Sequence, residues 1–144
     1  MKNSEISGGG CKETSKGQSR RKRQLYISKN IFFKMPVLYT LSDDDGEWIK
    51  NINQALNTLR SDTCLEFKEV NTKHNIKFFF DGGGCYAVRV GWDKPVNVYV
   101  PPSCGKPGTI IHEVMHALGM KHEQSRGDRN ESAWINYDNI IKVS

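Results

Sequence analysis

No apolar run in this 144-residue sequence approaches the ~20 residues that a helix needs to cross a bilayer, so no transmembrane helix is expected. The first residues also lack the apolar core of a secretory signal. Cysteine is sparse. Cys11, Cys64, Cys85 and Cys104 are the four present, and no two have the close spacing of a zinc ligand pair. A cysteine-based zinc finger is therefore excluded. An even count suits disulfides, with three possible connectivities, while four reduced thiols are the plainer alternative. Internal repeats are lacking too, and the length suits one domain.

A net charge of +5 invites a nucleic-acid reading. Its distribution argues against one. Residues 1–34 hold nine Lys/Arg and two Asp/Glu, whereas residues 35–144 hold twelve and fourteen, leaving the body slightly acidic. The basic leader, residues 1–23, is rich in Gly, Ser and Lys, shows no hydrophobic periodicity and is expected to be disordered. Within it, Arg20-Arg21-Lys22-Arg23 precedes Gln24 and the apolar residues Leu25, Tyr26 and Ile27. This run is either a solvated cluster or a processing site for a basic-specific protease, separating a pro-segment from the mature domain. Asn130-Glu131-Ser132 is a candidate glycosylation sequon.

What is present is concentrated in residues 112–122: His112-Glu113-Val114-Met115-His116-Ala117-Leu118-Gly119-Met120-Lys121-His122. Two histidines four apart share one helix face, so both imidazoles can reach one metal ion. Gly119 tolerates the positive φ with which a chain leaves a helix abruptly, returning His122 as a third ligand. Three imidazoles and an open position describe a catalytic zinc site and not a closed structural one. One residue past His112, Glu113 lies about 100° around the helix, beside the ligand face. A carboxylate there can take a proton from zinc-bound water and pass it to a leaving amine. The blander reading, an amphipathic helix with surface histidines, does not explain the extended spacing.

Elsewhere, Ile31–Leu41 reads as a strand, with Pro36 marking an edge. Ser42-Asp43-Asp44-Asp45 offers caps for an amphipathic helix over Glu47–Leu59, where Ile49, Ile52, Leu56 and Leu59 recur at helical spacing. Strands are expected at Leu65–Val70, Ile76–Phe80, Tyr86–Val90 and Asn97–Val100, and the histidine helix over Gly108–Met120. A short helix near Tyr137–Val143 has Asn136 as its candidate cap. The outline is α+β, a mixed sheet with two long helices. Asn97–Val100, just before the histidine helix, is the candidate edge for an extended substrate.

From Phe33-Lys34-Met35-Pro36-Val37-Leu38-Tyr39 to the end, the chain resembles the astacins, a branch of the metzincin zinc endopeptidases. The resemblance is strongest from Gly108-Thr109-Ile110-Ile111-His112-Glu113 to His122-Glu123-Gln124-Ser125-Arg126-Gly127-Asp128-Arg129, followed by Ile135-Asn136-Tyr137. Asn130 stands where the family's signature usually ends in Asp. The resemblance implies a zincin-like fold, one zinc ion on His112, His116 and His122, and Glu113 as catalytic base. It places Glu123 just outside the ligands, pairing with the N-terminus freed by removal of the pro-segment of a zymogen. It also implies a Cys85–Cys104 disulfide, and for Cys64 a partner in the later half of the domain.

Astacin catalytic domains run to roughly 200 residues, within ordinary single-domain size. Their later part, with the Met-turn and a transition-state tyrosine, has no counterpart in these 144 residues. Residues 24–144 are thus expected to form a C-terminally truncated protease domain of a secreted, monomeric endopeptidase acting on extracellular proteins. A truncated, catalytically impaired zinc-binding module is the alternative. Adhesion through Arg126-Gly127-Asp128 is a third reading, weakened because Arg126 and Asp128 already belong to the signature.

Overall fold

The computed structural model describes residues 35–89, 94–125, 127–131 and 134–141. Five short strands form one sheet: β1 (Val37–Leu41), β2 (Phe67–Glu69), β3 (Ile76–Phe79), β4 (Tyr86–Arg89) and β5 (Val96–Tyr99). Their order is β2-β1-β3-β5-β4. All pairings are parallel except β4 with β5, which is antiparallel. Alternation decides the faces. Val37 and Tyr39, Ile76 and Phe78, and Val96 and Val98 are buried, while their neighbours in sequence are half-exposed.

Two helices cover the buried face, as the α+β, zincin-like expectation requires. The first, α1 (Gly46–Asp62), starts where the Asp45 side chain accepts the Trp48 backbone N–H at 2.8 Å. It buries Trp48, Ile52, Ala55, Leu56 and Leu59 against the sheet. Trp48 also donates its indole N–H to the Val100 carbonyl at 2.8 Å. That bond ties the start of α1 to the chain leaving β5. At the other end of α1, the Arg60 guanidinium bonds the Phe67 carbonyl at 2.8 Å and lies over the Phe67 ring.

The second helix, α2 (Pro107–Ala117), buries Ile110, Val114 and Ala117 in the same core. A tight turn precedes it, in which the Gly105 N–H reaches the Pro101 carbonyl at 2.7 Å. A Cβ on Gly105 would stand 2.5 Å from the Val100 oxygen, so the backbone approach there admits only glycine. Cys104, in this turn, is bonded to Cys85 just before β4, with S–S 2.05 Å. Cys64 is also disulfide-bonded, and Cys11 lies outside the described residues.

Two expectations about the sheet are corrected. Pro36 does not mark an edge, because β1 lies between β2 and β3. It is tolerated because it stands one residue before Val37, the first residue in register with β2. Nor is the strand near Asn97–Val100 an edge: β5 lies between β3 and β4, and β4 is the edge strand nearest α2. The helices differ in extent as well. The first runs past Leu59 to Asp62, and α2 stops at Ala117, short of Met120, because Gly119 already has a positive φ of 98°. The short helix near Tyr137 is a single 3-10 turn, Tyr137–Asn139, with the Asn136 side chain accepting the Asp138 N–H.

The Trp48 bond gives a stability test. Trp48→Phe removes the donor and leaves the buried Val100 carbonyl unpaired, along with a small void. A loss of about 2–3 kcal/mol is expected in urea unfolding. An unchanged midpoint would show that the indole bond contributes nothing to the tie.

Candidate metal centre

The helix α2 carries two functional stripes. Ile110, Glu113, Val114 and Ala117 face inward, whereas His112 and His116 lie one turn apart on the open side. Beyond Ala117 the chain leaves the helix through two backbone bonds. The Met120 N–H reaches the Met115 carbonyl at 3.0 Å, and the Gly119 N–H reaches the His116 carbonyl at 2.9 Å. This pair of bonds, closed around a left-handed glycine, is a Schellman motif. An L-residue at that φ would clash with its own carbonyl, so the glycine sets the direction in which the chain returns.

The return brings His122 back over α2. The Nε2 atoms of His112 and His122 stand 3.2 Å apart, those of His112 and His116 3.0 Å, and those of His116 and His122 2.9 Å. A second bond defines which atoms face inward. His116 Nδ1 lies 2.7 Å from the Met120 carbonyl oxygen. A carbonyl only accepts, so Nδ1 carries a proton, and in the neutral ring Nε2 then presents its lone pair. Met120 thus fastens the turn with its N–H and orients a histidine with its C=O.

Three imidazole nitrogens in mutual contact fit a cation between them. A tetrahedral zinc bound at about 2.0–2.1 Å separates its ligand nitrogens by roughly 3.3 Å, slightly more than the spacings observed. Among the described residues this is the group that could hold a metal ion. The carbonyl behind His116 completes the arrangement usual for a ligating histidine, whose other nitrogen is hydrogen-bonded.

Glu113 is 6% exposed and is the charged residue in the buried set. It is buried about 100° around α2 from His112, beside the histidine stripe. The opposite side of that stripe opens on a hollow of about 550 Å³, walled by Ile111, Met115, Met120 and Glu123 among others. Glu123 itself is exposed, in the 3-10 turn Glu123–Ser125 directly after the third histidine. Asn130 is exposed and borders a separate hollow with Trp134 and Tyr137, which shares no residue with the histidines. Arg23, Gln24 and Arg126 lie outside the described residues.

Astacin, a family of peptidases, matches residues 18–144. The chain belongs to the astacin family. Zinc metalloproteinase nas-28 of Caenorhabditis elegans is 35% identical, over 87% of this chain and 26% of its own length. Protein SpAN of Strongylocentrotus purpuratus is 30% identical, over 86% of this chain and 21% of its own. Among solved structures, high choriolytic enzyme 1, a hatching-enzyme zinc protease of Oryzias latipes, superposes with a TM-score of 0.66 at 29% identity. That superposition covers 79% of this chain and 61% of the other. The chain therefore spans about a quarter or less of the two relatives in length, and about three-fifths of the solved one. Among astacins the histidine trio is the seat of the catalytic zinc, and the donor set seen here fits that ion.

The role of Met120 was not visible in the residue pattern, because a carbonyl carries no residue-type signature. The spacing did hold a clue: His116 and Met120 are four apart across a helix end, where one carbonyl can point back. Gly119→Ala forces an L-residue into the left-handed region, at a cost of about 1–2 kcal/mol. Because the same turn places both the Met120 carbonyl and His122, zinc affinity should fall roughly 10- to 100-fold. Competition against a chromophoric chelator measures this, and unaltered affinity would remove the turn from the site's design.

Proposed function

We propose that this astacin-family chain serves a zinc endopeptidase that hydrolyses internal peptide bonds of secreted or extracellular proteins. The observation that carries this reading is the convergence of three Nε2 atoms within 3.2 Å, beside a buried carboxylate. His112, His116 and His122 would hold the ion. Zinc, when bound, supplies Lewis acidity toward the scissile carbonyl and lowers the pKa of a water. Glu113 takes the proton of the attacking water and delivers it to the leaving amine. Burial serves that role by keeping the carboxylate in place and limiting competition from bulk water. An extended substrate lies along β4, whose outer edge pairs with no strand among the described residues.

The wider reading rests on the resemblance. Residues 1–23 act as a basic pro-segment, cleavage between Arg23 and Gln24 leaves residues 24–144 as the protease domain, and Glu123 receives the new N-terminus. The Cys85–Cys104 disulfide suits the oxidising compartment of a secreted protein, where Asn130 would be open to glycosylation. No helix among the described residues is long and apolar enough to cross a membrane. The alternative, an impaired zinc-binding module, draws on the open hollow beside the histidines, where Ile111, Met115 and Met120 are only half-buried.

The two readings part on one pair of measurements. The purified protein should bind about one zinc per chain and cleave a denatured protein substrate, with activity lost to a chelator and restored by zinc. Glu113→Gln should keep the metal while lowering cleavage by about 10²–10⁴-fold. Stoichiometric zinc without cleavage by the parent protein favours the module. Absence of zinc binding in both proteins would sink either reading.

A further inference from the structure

Three aromatic rings form a column across the sheet on the face opposite the helices. Phe79 of β3 pairs with Tyr99 of β5, and Tyr99 pairs with Tyr86 of β4. The Phe79 and Tyr99 rings stack with centroids 4.7 Å apart and planes 15° from parallel; Tyr99 and Tyr86 stack at 4.6 Å and 23°. Lys77 Nζ lies over the Phe79 ring, 4.8 Å from its centroid, at the interior end. At the other end the column finishes on Tyr86, which is 44% exposed on the edge strand. Val88, 40% exposed, follows on the same face two residues along.

The edge strand is fastened alongside the metal centre at both its ends. Cys85, just before it, is bonded to Cys104 ahead of α2, and Arg89, its last residue, reaches the Ala117 carbonyl at 3.5 Å. A peptide added to β4 therefore enters the frame of the histidines. Its backbone bonds read no side chains; selectivity must come from positions on alternate sides of the added strand. The added strand would lie one interstrand spacing, about 4.8 Å, beyond β4. The rings already repeat at that interval.

We propose that Tyr86 is a specificity-determining residue, which favours substrates carrying an aromatic side chain at the position opposite it on the added strand. That side chain stacks on the open side of Tyr86 and extends the column by a fourth ring. A column already ordered by Tyr99 and Phe79 holds the Tyr86 ring in place before substrate arrives, so little side-chain freedom is lost on binding. A β-branched residue at the same position would gain contact with Tyr86 but no stacking. The proposal rests on the peptidase reading and on β4 as the substrate edge.

A set of peptides sharing one cleavable sequence, with Phe or Ala at each position flanking the scissile bond, tests it on the full chain with zinc. At one position the Phe peptide should be preferred by roughly three- to tenfold in kcat/KM, mostly through KM. Tyr86→Ala should bring that ratio close to one, and Tyr86→Phe should keep it, since the ring and not the hydroxyl makes the contact. A merely structural role for Tyr86 would lower cleavage of both peptides alike and leave the ratio standing. The same peptides titrated against Glu113→Gln give the ratio as affinities, free of turnover. No preference at any position in the parent protein, or a preference that survives Tyr86→Ala, overturns the proposal. Cleavage without preference would sink the proposal alone, whereas neither cleavage nor binding of any peptide would sink the peptidase reading and this proposal with it.

Discussion

Three imidazole nitrogens held within 3.2 Å of one another constrain everything around them. Their lone pairs repel unless a cation or shared protons lie between, so the polypeptide must hold them together from behind. Two histidines are placed by the helix period alone. The third depends on a turn that closes with two backbone bonds around Gly119 and leaves the Met120 carbonyl facing His116. Local geometry after the helix is therefore as important to the site as the helix itself. The free energy of metal binding would return to the fold by linkage, because the unfolded chain has no such preformed trio.

The helix bearing the histidines has few caps of its own. Lys106 makes no side-chain capping bond, and Pro107 merely starts the first turn in a suitable conformation. Its position comes from tertiary contacts. Trp48 fixes the chain just before it through Val100, Gly105 allows the tight turn, and the disulfide joins that turn to β4. Ile110, Val114 and Ala117 then lock its inner face against α1 and the sheet. Covalent, hydrogen-bonded and apolar restraints thus meet within about ten residues of His112, which suits a site whose donors must be placed to fractions of an ångström.

How much of this was legible in the sequence follows from range. The α1 stripe and the His112–His116 pair could be read because both depend on a period of 3.6 within a few turns. Asp45 was legible among the candidate caps for the same local reason. The order of the strands was not. Parallel pairs such as β3 with β5 form across long connections, and nothing in the residues of Val96–Tyr99 distinguishes an interior strand from an edge. Alternation of buried and half-exposed residues is the same in β3 and β5, and Pro36 suggested an edge only because it falls just outside the ladder it precedes. The Met120 carbonyl was hidden for another reason: backbone groups act at the site without leaving any residue preference.

The sheet order then has a chemical consequence. Were β5 the edge, its alternate residues Asn97 and Tyr99 would face the incoming peptide, and no antiparallel strand would separate them from it. With β4 outside, Tyr86 and Val88 are the exposed residues that a substrate added there would meet, and Tyr99 is the support beneath Tyr86. The disulfide ties the start of that edge to the turn before α2 and the Arg89 contact ties its end to Ala117, so backbone pairing there would set how far a peptide slides relative to the histidines. In the proposed reaction, Glu113 and zinc would need a carbonyl at one place only. Strand pairing along four residues would fix its height, and a substrate ring stacked on Tyr86 would fix its register, because a slip of one residue would turn the aromatic side chain to the other face.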